Sequence, residues 1–281
     1  MLILNGHALE AGAPEITLLN RSFKYGDGLF ETLRVYEGRV LFVEQHLRRL
    51  ATGMARLGFA YDPATWLPQI EAQLQHSLRL NAITAHGRLR LHVYRAGPGA
   101  YAPLEDTPYY LIEGYALKYD PYQAPSPQRL TVYADWPLRP TPLSGCKTAA
   151  ALPYVLAARH ARQQGADQAL LLNGDHVVEA DSSNVFLVVN RQLITPPLSL
   201  GGLPGIMRET VLKLARQVKV PVQEKKFRLR EVRQAEEVFL TNTIRGLQPA
   251  QALDETPLGE VPGPLTTFLQ NCLRRYLAED L

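Results

Sequence analysis

Cysteine is scarce in this chain. Its 281 residues hold two, Cys146 and Cys272, which lie far apart and have no metal-ligand spacing. A disulfide framework and a cysteine-based metal site are therefore excluded, no metal is expected, and a reducing compartment fits. Cys146 beside Lys147 reads as a small side chain packing at a strand end. No run of residues approaches the ~18 apolar positions of a membrane span. The N-terminal Met-Leu-Ile-Leu-Asn-Gly-His has no basic segment, and its apolar stretch is too short for a signal peptide, so a cytoplasmic location is expected. Charge of one sign is also lacking: 30 basic against 27 acidic residues leave a net charge of +3. The basic pairs Arg48-Arg49 and Lys225-Lys226 are short and not interleaved with aromatics, which argues against a nucleic-acid binder. Internal repeats and low-complexity segments are missing as well.

What is present is ordinary for a globular protein: 46% hydrophobic and 20% charged residues, in a chain long enough for one large or two modest domains. Residues 1–9 read as a short strand and turn. Leu29–Tyr36, the turn Glu37-Gly38 and a return strand Arg39–Val43 predict a hairpin. Val43–Leu57 has helical periodicity, with Leu47, Leu50, Met54 and Leu57 in one stripe, and Thr65–Leu80 predicts a second amphipathic helix. Arg88–Tyr94 alternates, with Leu89, Leu91 and Val93 on one face and Arg88, Arg90, His92 and Tyr94 on the other. Tyr109–Leu117 is a further strand. Residues 118–128 are rich in proline and polar groups and read as a linker.

Beyond the linker, strands are expected at Leu130–Tyr133, Gln168–Leu172, Val185–Val189 and Glu237–Thr241. Helices are expected from Lys147, from Ile206 and over Leu265–Leu277. Strands and helices mix without a repeating strand–helix unit. The reading is α+β in two domains: 1–117, then the linker 118–128, then 129–281.

Three segments share one chemistry. Lys147 opens Lys-Thr-Ala-Ala-Ala-Leu-Pro-Tyr154, Glu179 leads Glu-Ala-Asp-Ser-Ser-Asn-Val-Phe186, and Gly201-Gly-Leu-Pro-Gly205-Ile-Met-Arg208 runs into a helical pattern. A lysine amine for a Schiff base, a carboxylate for a pyridinium nitrogen and a phosphate-cradling helix start are what pyridoxal phosphate needs from a protein. Taken singly, Lys147 and Glu179 read more readily as solvated residues at the ends of elements, and the glycines as an ordinary loop. Thr241-Asn-Thr243, after a strand, offers hydroxyl and backbone donors. Arg49, three residues after His46, offers a guanidinium for phosphate.

These segments, in this order, resemble the fold-type IV, or class IV aminotransferase-like, pyridoxal phosphate enzymes. The likeness runs from Asn20-Arg-Ser-Phe-Lys-Tyr-Gly-Asp-Gly-Leu-Phe-Glu-Thr32 through His46–Arg49 to Val238-Phe-Leu-Thr-Asn-Thr243. The family includes branched-chain aminotransferases, D-amino acid transaminases and aminodeoxychorismate lyases. The resemblance implies a small N-terminal domain and a larger C-terminal pseudo-barrel domain with pyridoxal 5'-phosphate between them, usually in a homodimer. It makes Lys147 the Schiff-base lysine and proton shuttle, and pairs Glu179 with the pyridine nitrogen. Arg49, the Gly205-Ile206-Met207 backbone and Thr243 would hold the phosphate. Tyr154 would contact the ring, and the Tyr25–Glu31 region would lie near the active-site entrance, where substrate passes.

The chain also departs from its relatives. D-Amino acid transaminases carry an arginine and a histidine just after the strand that here ends at Arg95, to hold the substrate α-carboxylate. This chain has Ala96-Gly-Pro-Gly-Ala-Tyr101 there, the usual branched-chain pattern is absent too, and Ala150 replaces a common asparagine. Arg90 is the substitute carboxylate ligand if its strand face looks into a cleft; the alternative is a solvated face. Arg21 and Arg245 are lesser candidates. The expected function is transfer of an amino group from an amino acid, of D- or branched-chain type, to a 2-oxo acid. The alternatives are an aminodeoxychorismate lyase, releasing pyruvate and 4-aminobenzoate, and a non-catalytic protein built on the same fold.

Overall fold

The computed structural model describes residues 1–10, 20–123 and 125–279, so Ala124 of the expected linker lies outside the described residues. The chain forms two compact units. One is Met1–Asp120 with Cys146–Ala150; the other is Pro121–Gly145 with Ala151–Leu281.

The first unit contains β1 (Leu2–Leu4), β2 (His7–Leu9), the short helix α1 (Arg21–Tyr25), β3 (Gly28–Tyr36), β4 (Arg39–Val40), α2 (Val43–Leu57), α3 (Pro63–Leu80), β5 (Gly87–Arg95) and β6 (Pro108–Ala116). Its sheet is antiparallel, in the order β2-β1-β6-β5-β3-β4. Period-two alternation splits the sheet into two faces. Leu29, Leu33, Leu89, Leu91 and Val93 are buried in a core with Leu47, Leu50 and Met54 of α2 and Ile70 and Leu74 of α3. Phe30, Thr32, Arg90 and His92 stand on the other face and are only partly buried. α3 starts two residues before the expected Thr65, because Asp62 accepts from Ala64 N and Pro63 takes the first helical position. The return strand after Gly38 is shorter than expected: the backbone turns at Phe42 (φ 56°) directly into α2.

The expected helix from Lys147 is corrected. Lys147–Ala149 is extended and pairs with the start of β3: Phe30 N donates to Lys147 O (2.9 Å), Ala149 N donates to Gly28 O (2.8 Å), and Leu29 faces Thr148. The helix begins only at Leu152. Pro153 explains the delay. Its missing N–H and fixed φ are tolerated in a first turn, whereas a helix from Lys147 would place Pro153 in its interior.

The second unit contains β7 (Gln128–Tyr133), α4 (Leu152–Gln163), β8 (Gln168–Asn173), β9 (His176–Ala180), β10 (Asn184–Val189), β11 (Gln192–Thr195), a 3₁₀ turn at Leu198–Leu200, α5 (Ile206–Gln217), β12 (Val222–Glu224), α6 (Leu229–Gln234), β13 (Glu237–Asn242), β14 (Gly246–Leu253), β15 (Thr256–Pro257) and α7 (Pro264–Glu279). The strand order is β12-β11-β10-β13-β14-β7-β8-β9, with β15 beside β14. β9 is an edge strand and β10 sits beyond the sheet's middle, yet only residues 181–183 join them. Both facts hold only if the sheet curls, which is the half-barrel form expected for this part of the chain. Phe186 and Phe239 stack at 5.1 Å inside it. β7 starts within the expected linker, and Tyr122 ahead of it is buried and donates to Thr243 O, so part of that proline-rich stretch packs into this unit. Among the described residues no helix is long and apolar enough to cross a membrane.

Candidate active site

Glu179 sits on β9 and is 3% exposed. Its carboxylate is surrounded by donors. Tyr154 Oη donates to Oε1 (2.8 Å), while Asn184 Nδ2 (3.0 Å) and Leu203 N (2.9 Å) donate to Oε2. Burial, then the charge of Glu179 and the hydrogen bond to it, push the Tyr154 phenol far above its ordinary range, so it remains a neutral donor. Tyr154, expected beside the ring, holds Glu179 through its hydroxyl. Asn184 is a site residue that the sequence reading missed. It lies in the quoted Glu179–Phe186 segment, but its importance depends on a partner far along the chain, Leu203, whose carbonyl oxygen accepts from it at 2.9 Å.

The start of α5 adjoins this carboxylate. Gly205 is its N-cap and supplies no side-chain cap. The first-turn N–H groups, from Ile206 and Met207 onward, precede any helical carbonyl partner, which is the arrangement that receives a phosphate. Glycine is required here, since a Cβ on Gly205 would stand 1.9 Å from Asn184 Oδ1. The β10–β13 register places Thr241 opposite Asn184, so the turn carrying Thr243 lies at the same end of the sheet. Asn242 shapes that turn by accepting from Ile244 N (3.1 Å) and Arg245 N (2.8 Å). Thr241 Oγ1 is buried with no hydrogen-bond partner. An uncapped helix start, a backbone cleared by glycine, an orphaned hydroxyl and an oriented carboxylate fit the phosphate and ring nitrogen of pyridoxal phosphate. Among the described residues no group of three or more His, Cys, Asp or Glu side chains could hold a metal ion.

The first unit positions the cations. Pairing with β3 puts Lys147 on the Phe30 side of the sheet, and Lys147 Nζ lies 4.5 Å from the centre of the Phe30 ring. The Arg90 guanidinium lies 4.0 Å from the same centre. These two distances cap the separation of the cations at about 8.5 Å. Next to Arg90 on the same strand face, His92 Nε2 is 2.9 Å from Ser22 Oγ. Burial, then the charge of Arg90, push the His92 imidazole down to about 4.

Glu31 and Arg49 meet on the helix side of the sheet. Arg49 Nε donates to Glu31 Oε1 (2.8 Å), Arg49 Nη2 pairs with Oε2 (2.5 Å), and His46 Nδ1 lies 2.7 Å from Oε2. Glu31 is 1% exposed, so its expected place beside the substrate is corrected: α2 covers its carboxylate.

The remaining candidates separate. Tyr25 lines a cleft of about 390 Å³ with Arg21, Arg95 and Tyr101. Arg21 is fully engaged with structure: it donates to Asp27 Oδ2 and to the carbonyl oxygens of Gly99, Ala100 and Tyr101, fastening that loop. Arg245 is exposed on the β13–β14 turn.

The family model described as Amino-transferase class IV matches residues 28–253. The D-alanine aminotransferase of Bacillus licheniformis is 26% identical over 296 residues, covering 99% of this chain and 98% of that protein. Among solved structures, the 4-amino-4-deoxychorismate lyase from Pseudomonas aeruginosa is 32% identical, with a TM-score of 0.84 and 98% of each chain covered. The branched-chain aminotransferase from Thermoproteus uzoniensis, solved with norvaline, is 27% identical, with a TM-score of 0.88 and 98% of this chain and 93% of that one covered.

Proposed function

We propose, for a chain that belongs to the class IV aminotransferase family, that it is a transaminase moving the amino group of an amino acid to a 2-oxo acid with pyridoxal phosphate as its cofactor. The enzymes of this family are pyridoxal-phosphate-dependent transaminases or lyases. The observation that carries the transaminase reading is the Phe30 ring shared by Lys147 Nζ and the Arg90 guanidinium. A transaminase must hold the α-carboxylate of two successive substrates in the same place while a base works at Cα. Arg90 offers the bidentate cation for that carboxylate, and Lys147 the amine within its reach.

Pyridoxal phosphate, when bound, supplies a reactive aldehyde carbon and a ring that accepts electrons. The protein supplies the rest. Lys147 Nζ would hold the cofactor and, once the amino donor has displaced it, would be free to take the proton from the substrate Cα. Glu179, held by Tyr154, Asn184 and Leu203 N, would keep a proton on the ring nitrogen. Ile206 N, Met207 N, Thr243 and Arg49 are the groups that would hold the phosphate. The amino acid class is that of the relatives, D-amino or branched-chain. The protein acts as a homodimer in the cytoplasm.

The second reading is aminodeoxychorismate lyase, favoured by the 32% identity to the Pseudomonas aeruginosa enzyme. One experiment separates the two. Single D- and L-amino acids are added to the loaded protein without any acceptor while its visible absorption is recorded. Conversion of the bound cofactor to its aminated form by one enantiomeric series supports the transaminase and gives its stereochemistry. No response to any amino acid, with pyruvate released from aminodeoxychorismate, replaces it with the lyase. Lys147→Ala should abolish turnover, and near-normal activity in that variant would sink the mechanism.

A further inference from the structure

Glu31 faces the helix side of the sheet, opposite Phe30 and Arg90, and both of its carboxylate oxygens are engaged. It lies on β3 under α2, 1% exposed. His46 and Arg49, three residues apart on α2, reach it from the same side of that helix. His46 is 0% exposed, and burial pushes its imidazole down, so the neutral ring donates from Nδ1 to Glu31 Oε2 at 2.7 Å. Burial also works to raise the Glu31 carboxyl, but Arg49 and then His46 outweigh it and bring it to about 2. Glu31 is therefore an anion at neutral and mildly acidic pH.

A buried carboxylate is expensive to desolvate, and pairing with good geometry is what offsets that expense. Here the pairing has a directional result. Both oxygens engage the Nε–Nη2 edge of Arg49, at 2.8 and 2.5 Å. Such a two-point contact fixes the plane of a guanidinium on an otherwise flexible side chain. A ligand that meets this arginine finds it already ordered and does not have to freeze it on binding.

We propose that Glu31, braced by His46, is a positioning residue that pre-orders Arg49 for the phosphate of the cofactor. This rests on the reading of Arg49 as a phosphate ligand. A merely architectural Glu31, pinning α2 to β3, would affect every ligand of the site alike. A Glu31 that orders a phosphate ligand would affect phosphorylated ligands selectively.

The test compares pyridoxal 5'-phosphate with pyridoxal, which lacks the phosphate. Each is titrated into the full-length cofactor-free protein and followed by visible absorption, with thermal unfolding as a folding control. Glu31→Gln should weaken pyridoxal phosphate binding about tenfold while changing pyridoxal binding less than about twofold. The phosphorus resonance of the bound cofactor should also move. Equal weakening of both ligands, or of neither, overturns the proposal. Arg49→Ala is the control on the underlying reading: it should remove most of the preference for the phosphorylated ligand. If that preference survives in Arg49→Ala, the phosphate reading of Arg49 fails and the proposal falls with it. If it is lost there but unchanged in Glu31→Gln, only the proposal fails. Should Glu31→Gln not fold, His46→Gln carries the test, with a smaller but still phosphate-selective loss expected and an unselective one overturning it.

Discussion

Asn184 Nδ2 lies 3.0 Å from Glu179 Oε2 and 2.9 Å from Leu203 O, so one side-chain amide ties the buried carboxylate to the loop that leads into α5. Asn184 Oδ1 faces Gly205, where a Cβ would come within 1.9 Å. Glu179 and the start of α5 thus share one support.

That sharing predicts a coupled result. Asn184→Ala removes a donor from a buried charged group, a loss of about 1.5–3 kcal/mol, and should slow the half-reaction with an amino donor by about ten- to a hundredfold. Gly205→Ala should be nearly as damaging in the otherwise unchanged protein but much less so when combined with Asn184→Ala, whose missing amide leaves room for the methyl group. Single-turnover rates of the two single variants and the double variant check this. Strictly additive losses would show that the two positions are independent.

His92 gives a pH dependence of stability. Its imidazole is held down to about 4 in the folded protein, against the ordinary value of 6.5. Between those values the unfolded chain binds a proton that the folded chain refuses. Stability is therefore complete above 6.5 and declines as pH falls toward 4. The loss should be on the order of 2 kcal/mol. His92→Gln cannot take up that proton and should flatten the slope. Denaturant unfolding at both ends of the window measures it; an unchanged slope in the variant would remove His92 from the account.

α7 is capped from a distance. Glu237 on β13, 4% exposed, accepts from Leu265 N (2.8 Å) through Oε1 and from Thr266 N (2.7 Å) through Oε2. Glu237→Ala leaves two first-turn donors without their acceptor and should destabilise the protein by about 2 kcal/mol. Calorimetry should find the unfolding midpoint several degrees lower, while turnover per folded molecule stays the same. A midpoint within error of the parent protein would mean that water replaces the cap.

Local physics was legible in the chain, and non-local pairing was not. The stripe of Leu47, Leu50 and Met54 on α2 and the alternation of Leu89, Leu91 and Val93 on β5 place these side chains in one core, because periodicity alone decides which face is buried. The glycine-flanked start of α5 was equally readable. The alanines after Lys147 favour helix, yet Lys147 O accepts from Phe30 N and Ala149 N donates to Gly28 O, partners more than a hundred residues earlier. Pro153 was the local sign that the helix had to wait. Asn184 was visible but unremarked, since its partner Leu203 is set by tertiary structure. Glu31 was placed near substrate because the segment around it carries the family likeness, and only the packing of α2 over β3 reveals where its carboxylate points.

The strand-like pairing of Lys147–Ala149 with β3 has a consequence for how this architecture can be divided. The chain leaves the first unit after Asp120, returns for Cys146–Ala150, and leaves again. No single cut in the polypeptide separates the two units with each intact. A fragment ending near Asp120 lacks Lys147–Ala149 and the pairing they make, and a fragment starting there carries Lys147 without the strand that seats it. Neither portion alone holds every strand pairing seen in the whole chain.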